Sequence, residues 1–375
     1  MPLLPTTTEE CQRLECYKNR VFKSKYRRQM FLFVLLIILF SVQNGYHQDI
    51  YNSIFSDAPV QAMETVQDLV TTSDILAFNQ NQISSQANLG CNVRPFIPYS
   101  GLSKFEFNPS QFPELSVKQK TNQNRGKSIS ISGGETTVLE DKRISKVIVE
   151  FDLKFNNEEL QHIYWIEKEE STANGLYALT IRSDGSYIEN ACVTIGITIR
   201  VPNAKSLEVL DISLANSGVT LKKGLTFDQV AVAVANGYVD FSEGITSGQT
   251  AFVVANGHIS GVIDTLSDEL HVSIANGHTD IAIKNIKPLT QATIIPLDLR
   301  AANGHVKLKV PSNFDSTFSL KSYTGRRTVE SSIPQKIHRK SNRWGETSGY
   351  YGNNEHTKNS IRLSVSNGSL QLTYV

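Results

Sequence analysis

The chain has 375 residues, enough for two ordinary domains or for one large β domain with accessory segments. Charged residues make up 19% of it and the net charge is +1, so the overall balance gives no indication of a nucleic-acid partner. One asymmetry lies within that balance: seven Lys/Arg stand against three Glu in the first 29 residues.

An apolar stretch follows this basic tail. Eleven of the thirteen residues in Met30–Val42 are Leu, Ile, Val or Phe. A helix of that length reaches only about 20 Å, so flanking residues must complete a membrane span. A cleaved signal peptide is disfavoured by the long charged region before it, and a buried globular helix by apolar residues on every face. The sequence therefore favours a transmembrane signal anchor over residues 30–45.

The charges around the anchor predict its orientation. No Lys or Arg occurs between Arg28 and Arg94, whereas five acidic residues lie in that interval. The positive-inside rule then places residues 1–29 in the cytosol and the C-terminal part outside the cell or in a lumen. We expect a single-pass, type II membrane protein whose first partner is the lipid bilayer.

The four cysteines fit this topology. Cys11 and Cys16 would lie in the cytosolic tail, as free thiols or as acylation sites. Cys91 and Cys192 would share an oxidising compartment, where a bridge between them is one outcome and two free thiols the other. A glycosylation sequon stands at Asn367–Ser369.

The remainder of the chain divides into a stalk and an ectodomain. Residues 46–100 are rich in Gln, Asn and Ser and predict a stalk, with one short helix after Pro59. From residue 101 to 375 apolar residues alternate with polar ones in short runs, bounded by Gly- and Asn-rich turns. The ectodomain is therefore predicted to be all-β.

A repeat runs through this ectodomain. Asn216, Asn236, Asn256 and Asn276 are each twenty residues apart, Asn303 and Asn367 follow, and all but the first precede Gly. An earlier copy is predicted at Asn174. The same face is apolar on both sides of each Asn-Gly, which indicates a repeat architecture.

Two architectures can use such a repeat. Asn-Gly is a strong hairpin signal, so an antiparallel β-meander or sandwich is one. The other is a β-solenoid-like stack of about 20-residue coils with a preceding β region, in which each Asn-Gly forms a corner. The stack is favoured, because a meander has no need to repeat Ala-Asn-Gly-His as a block, whereas stacked Asn amides can hydrogen-bond along the axis.

The segment "CVTIGITIRVPNAKSLEVLDISLANSGVTL", the serial Ala-Asn-Gly units and the closing "IRLSVSNGSLQLTYV" resemble the putative adhesin family, in a membrane-anchored form. The resemblance covers about residues 145–375. It implies a β-solenoid-like fold at a surface or envelope, and it implies no established catalytic residues.

The residues themselves give little indication of chemistry. "NRGKS" at Asn124–Ser128 lacks the first Gly of a phosphate loop and has no helix after it. Asp240 and Asp280 share one outward position of the repeat, but Ser260 and Lys307 occupy it in other coils, as on an ordinary solvated face. We therefore expect no catalytic residues, no cofactor, no metal ligands and no enzyme activity.

Two features could bind a partner. Tyr238, His258, His278 and His305 each follow Asn-Gly, so stacking would bring imidazoles together where two could share a metal ion, or leave them as exposed corner residues. Residues 321–358 carry eight Lys/Arg against three Glu, with Tyr323, Trp344, Tyr350 and Tyr351. This segment is predicted to be a basic insertion, a solvated loop whose deletion leaves the fold intact or a site for an anionic glycan or protein.

Three functions remain open from the sequence. The favoured one is a non-enzymatic, membrane-anchored surface or luminal β-repeat protein that binds glycan or protein partners in adhesion. A structural or assembly factor of secretory membranes is the alternative, and a β-solenoid carbohydrate-active enzyme is disfavoured because no cluster of carboxylates is present.

Overall fold

The computed structural model describes residues 96–121, 130–186, 188, 191–290 and 293–375. The predicted tail, anchor and most of the stalk lie outside these residues, as do Cys11, Cys16, Cys91 and Asn124–Ser128. Within the described residues no helix has the length and apolar character needed to cross a bilayer. Cys192 is disulfide-bonded, and the chain's other three cysteines all lie outside the described part.

The described part is all-β, as predicted, and its strands form one large mixed sheet. The strands preceding the repeat are β1 Ile97–Pro98, β2 Lys104–Phe107, β3 Glu114–Thr121, β4 Ser130–Ser132, β5 Gly134–Glu140, β6 Val147–Phe155, β7 Tyr164–Ser171, β8 Leu176–Ser183 and β9 Cys192–Val201. The strands from the repeat onward are β10 Val209–Leu221, β11 Thr226–Ile283, β12 Pro296–Val310, β13 Ser316–Thr324, β14 Arg327–Ser331, β15 Ile337–Arg343, β16 Glu346–Tyr351 and β17 Ser360–Tyr374. A four-residue helix α1 (Leu160–Ile163) and a 3₁₀ turn (Pro334–Lys336) interrupt them.

The repeat pairs in parallel. Residues of β10 pair with residues of β11 twenty positions later, so that Asn216 lies beside Asn236. The end of β11 pairs with β12, and β12 pairs with β17, again with Asn beside Asn. Antiparallel pairing through Asn-Gly hairpins, the meander alternative, is therefore not the pairing found in residues 209–310.

The long strand β11 contains three of the Asn-Gly units and turns at each of them instead of running straight. It is continuously extended over 58 residues, a length of about 190 Å if straight. Asn256 nevertheless hydrogen-bonds Asn236, and Asn276 hydrogen-bonds Asn256. The chain thus returns to the same corner every twenty residues, and each return is called a rung below.

Each corner divides its rung into two halves, which lie in two layers. The pre-corner layer contains β7, β8 and β3, the first halves of the rungs, and then β13, β16 and β15. The post-corner layer contains β1 and β2, then β6, β9, β4 and β5, the second halves of the rungs, and β14. Apolar side chains of both layers form one continuous core.

Inward positions repeat from rung to rung and form apolar columns. Ile212, Val232, Phe252, Val272 and Leu299 are one such column, and each is at most 3% exposed. A single rung could not fold alone, because it buries too few apolar groups to offset the ordering of about twenty residues at 1–2 kcal/mol each. Stacking is therefore the source of stability.

Two predictions about the repeat need correction. Asn174 is not a copy of the corner: Asn174 and Gly175 lie in the turn of an antiparallel hairpin between β7 and β8. Residues 321–358 are not a loop either, because they contain β14, β15, β16 and the end of β13. Buried Val329 and Tyr351 lie in this segment, so its deletion would remove part of the core.

The last strand of the chain is not the last rung. β17 pairs in parallel with β12 on one side and with β13 and β14 on the other. Thr324 lies beside Asn367, so β13 and β14 together form a further rung whose corner is Thr324–Gly325. The C-terminal strand is thus inserted between two rungs that precede it in the chain.

Candidate functional site

The corner of the stack is held by a ladder of asparagine amides. The Nδ2 of each Asn donates to the Oδ1 of the Asn one rung earlier at 2.7–3.0 Å, through residues 216, 236, 256, 276, 303 and 367. Thr324 Oγ1 donates to Asn367 Oδ1 at 3.1 Å and ends the row. The ladder fixes the side chains that follow Asn-Gly in one outward column.

Glycine is required beside this ladder by contact as well as by conformation. Gly257 has φ 144°, in the region that favours glycine. A Cβ there would lie 1.6 Å from the backbone oxygen of Gly237. The rungs therefore approach each other more closely at the corner than any side chain would allow.

The outward column stacks as predicted over three rungs. The rings of Tyr238 and His258 are 5.2 Å apart and inclined by 12°, and those of His258 and His278 are 5.1 Å apart and inclined by 3°. His305 pairs in register with His278, and its Nδ1 lies 2.7 Å from Ser369 Oγ.

This column is poorly arranged for a metal ion. Imidazole lone pairs lie in the ring plane, so the nitrogens of two parallel rings point in parallel directions and do not converge on one point. No group of three or more potential metal ligands occurs within the described residues. Burial and the neighbouring His278 lower the pKa of His258, and Asp240 opposes the shift. His258 is therefore mainly neutral at pH 7.

The two aspartates of the shared outward position are engaged in ordinary surface contacts. Asp240 accepts hydrogen bonds from the backbone N–H and the hydroxyl of Ser242. Asp280 pairs with Lys307 at 3.2 Å. The two carboxylates belong to different rungs, with the Ser260 rung between them, so they do not form a pair for acid–base chemistry.

The sequon asparagine belongs to the ladder. Asn367 donates from Nδ2 to Asn303 and accepts from Thr324. Nδ2 is the atom that a glycan would modify, and here it is engaged in a hydrogen bond.

The predicted basic segment presents two exposed aromatic residues with two arginines beside them. We call these four residues the aromatic tip: Tyr323, Trp344, Arg326 and Arg343. The rings of Tyr323 and Trp344 lie 5.2 Å apart, edge to face. Tyr323 is 52% and Trp344 79% exposed. Arg326 and Arg343 are also exposed. Arg343 directly precedes Trp344, and Arg326 is separated from Tyr323 only by Thr324 and Gly325.

The backbone around the tip is held by strand pairing and by the hydrogen bonds of Arg327. Trp344 and Gly345 form the two-residue turn between β15 and β16, where Arg343 pairs with Glu346. Arg327 donates to the backbone oxygens of Ser322 and Arg343 and to the hydroxyl of Thr347. These bonds join the turn that carries Trp344 to the last rung.

The other aromatic residues of the segment are used internally. Tyr351 stacks on Tyr374 at 3.8 Å in the core. Tyr350 stacks against His338 at 4.4 Å, and Lys340 Nζ lies 5.7 Å from its ring centre. Of the four aromatic residues predicted for a binding role, the structure therefore leaves Tyr323 and Trp344 available.

Two features that are far apart in the sequence, the outward column and the aromatic tip, are close together in the structure. The outward column leads from His305 to Ser369, which lies one rung from the Thr324–Gly325 corner. Arg326 follows this corner directly. Sequence reasoning missed the connection because Thr-Gly replaces Asn-Gly in the last rung, and only the Gly at that position signals a corner.

Comparisons with known proteins show similarity of limited extent. No family model and no curated protein matches the chain. A crystal structure of a putative cell adhesion protein from Clostridium sporogenes is 11% identical, with a TM-score of 0.29, and covers 74% of this chain and all of that one. A putative adhesin from Bacteroides fragilis is 10% identical, with a TM-score of 0.29 over 75% of this chain and 98% of that one. A putative adhesin from Parabacteroides distasonis is 12% identical, with a TM-score of 0.31 over 73% and 98%. Similarities of this size do not assign the chain to a family.

Proposed function

We propose that this chain is a non-enzymatic binding protein of the adhesin type, and that its aromatic tip binds an anionic glycan. The observation that supports this most strongly is the exposure of Trp344, 79% exposed on a turn that hydrogen bonds hold in place. The apolar surface of an exposed Trp is in contact with water in the free protein. A ligand that covers this surface removes it from water, which favours binding.

The chemistry of the tip suits a charged sugar. The faces of Trp344 and Tyr323 can pack against the C–H face of a pyranose ring, and their N–H and O–H groups remain free for polar contacts. Arg326 and Arg343 supply planar donors for a sulfate or carboxylate group. A protein partner with an acidic segment would meet the same guanidinium groups but would make less use of two exposed rings.

The scaffold and location belong to the same proposal. The parallel rungs with their Asn ladder support a β-solenoid, which would present the tip at one end of a rigid stack. The apolar residues 30–45 and the basic residues 1–29 support a type II signal anchor, with the rungs extracellular or luminal. The absence of a catalytic motif from the sequence supports a binding role over an enzymatic one.

The test is binding of the full-length chain, purified in detergent, to an array of neutral, carboxylated and sulfated glycans. Trp344→Ala should weaken retention on the charged glycans about tenfold or more, because a buried aromatic contact is lost. Arg326→Glu should do the same through charge. The matched control is Trp165→Ala, which removes a 39% exposed Trp from β7.

Equal retention by the wild type, Trp344→Ala and Arg326→Glu would contradict the glycan proposal. Deleting residues 321–358 is not a suitable test, because the deletion would also remove the buried Val329 and Tyr351.

A further inference from the structure

Each of the two ends of the pre-corner layer is a strand with one open edge. At one end β7 pairs with β8 alone among the described strands, and at the other end β15 pairs with β16 alone. Open edges present unpaired N–H and C=O groups that can add a further strand. The backbone of Ile166 is in contact with the Tyr99 side chain, and residues 167–171 of β7 lie beyond this contact.

The two edges carry opposite charges. β7 contains Glu167, Glu169 and Glu170 with one Lys, and β15 contains Arg339, Lys340 and Arg343 with one His and no acid. Most of these side chains are exposed. The ion pairs they make are internal to each end: Glu167 with Arg182, Glu170 with Lys168, and Lys340 with Glu355. Three Glu against one Lys still leave β7 net acidic, and two Arg with one Lys leave β15 net basic.

Protection against aggregation does not account for this arrangement. Charges on an edge strand do discourage pairing, and the irregular register between Arg339 and Ser341 in β15 adds to that effect. Edges of the same sign would repel each other when two copies meet end to end. Edges of opposite sign attract each other in that geometry, while like ends still repel.

Strand direction fits the same geometry. β7 runs antiparallel to the rungs, through its antiparallel pairing with β8 and the parallel pairing of β8 and β3. β15 runs parallel to the rungs, because two antiparallel pairings separate it from β13. Two copies in the same orientation would therefore bring β7 and β15 together as an antiparallel pair, which needs no reversal of either molecule.

We propose that copies of this chain associate head to tail, with residues 167–171 of β7 in one copy beside β15 of the next. Such an interface joins two different surfaces, so it repeats and builds open chains of copies instead of closed dimers. Because the contact is one pair of short strands with charged side chains, it is weak and sensitive to salt. The basic edge shares Arg343 with the aromatic tip, and the proposal does not require that the tip bind a glycan.

The test reverses each edge separately in the full-length chain. Glu169→Lys with Glu170→Lys makes the first variant, and Arg339→Glu with Lys340→Glu makes the second. Glu169 and Glu170 are adjacent and lie on opposite faces of β7. Lys340 lies at the irregular register of β15, directly after Arg339. None of the four residues belongs to the aromatic tip. The control variant reverses three exposed loop charges away from both edges, Lys142→Glu, Lys205→Glu and Lys287→Glu.

Sedimentation velocity over a range of concentrations at about 0.05 M salt measures the association. Each edge variant alone should associate at least about tenfold more weakly than the wild type, and the control variant should be unchanged. A mixture of the two edge variants should regain association, since the reversed edges complement each other. A chain carrying all four edge substitutions should also regain it.

Several results would overturn the proposal. One is a wild type that stays monomeric at every concentration, as expected if the chain's own first 95 residues cover an edge. Another is association that neither salt nor edge reversal weakens, or that the mixture fails to restore. If one edge variant folds poorly, the other edge variant and the salt dependence of the wild type still test the proposal.

Discussion

At the scale of single residues, the apolar columns tolerate a few polar exceptions. Thr279 lies in register with Val306 in an inward column and is 2% exposed. Its Oγ1 has no hydrogen-bond partner within the described residues. A buried hydroxyl without a partner costs free energy that an apolar side chain of the same shape avoids.

We therefore predict that Thr279→Val raises the free energy of unfolding by about 1 kcal/mol, measured by thermal or urea denaturation. Thr136→Val is the matched control: Thr136 is fully buried, but its hydroxyl lies 3.3 Å from Ser217 Oγ. That substitution loses a hydrogen bond and should not stabilise the protein. Equal effects of the two substitutions would contradict the interpretation.

The same dipeptide serves two purposes in this chain, and the residue scale explains why sequence alone could not separate them. At Asn174–Gly175 the Gly has φ 67° and the strands on either side pair antiparallel. At Asn256–Gly257 the φ is 144° and the chain continues into the next half of a rung. Both conformations favour Gly, so the pattern Asn-Gly predicts a change of direction without specifying which kind.

At the scale of structural elements, the Asn ladder is the contact that sets the register of the rungs. A strand shifted by one residue would expose its apolar face, and a strand shifted by two would keep its apolar face but lose the Asn-to-Asn bonds. The ladder thus discriminates against register errors that the hydrophobic pattern permits.

We predict that Asn256→Ala lowers the free energy of unfolding by about 1–2 kcal/mol, because it removes one bond to Asn236 and one from Asn276. Urea denaturation monitored by circular dichroism measures the change. Asn353→Ala, at an exposed position after β16, is the control and should remain within about 0.5 kcal/mol of the wild type. If both variants were as stable as the wild type, the ladder would contribute nothing measurable.

How far the sequence predicts the elements depends on the range of the contacts. The spacing of Asn216, Asn236, Asn256 and Asn276 predicts both the rungs and the neighbours of each rung, because successive rungs are adjacent in the chain. The place of β17 is not predictable in this way. The sequence places Asn367 after Asn303 in the repeat, and only the three-dimensional pairing shows that Thr324 lies on the other side of Asn367.

The candidate site was predicted only in part, for a related reason. The concentration of Lys, Arg and aromatic residues in 321–358 correctly indicated an unusual segment. Whether an aromatic side chain faces the core or solvent depends on the pairing of its strand, which places Tyr351 inside and leaves Trp344 at a turn. Local composition contains no information about that pairing.

At the scale of the whole molecule, the described part is a stack whose order differs from the order of the chain. β13 contacts the stack through β17, so the rung 316–331 depends on a strand that is synthesised about thirty residues later. Tyr323 and Arg326 of the aromatic tip belong to this rung, and the basic edge β15 pairs with it through β16. The rung that carries Tyr323 and Arg326 is therefore complete in its pairing only after β17 is in place.

The most direct test of this account is disulfide cross-linking of corner residues, mapped by non-reducing peptide mass spectrometry. Neighbouring rungs lie about 4.8 Å apart, within reach of a disulfide, whereas alternate rungs lie at about twice that distance and beyond it. The pairs Asn303→Cys with Asn367→Cys and Thr324→Cys with Asn367→Cys should form bridges on mild oxidation, and Asn303→Cys with Thr324→Cys should not. A bridge between 303 and 324, with none to 367, would mean that the rungs follow chain order and would contradict the parallel, in-register stack with its inserted C-terminal strand.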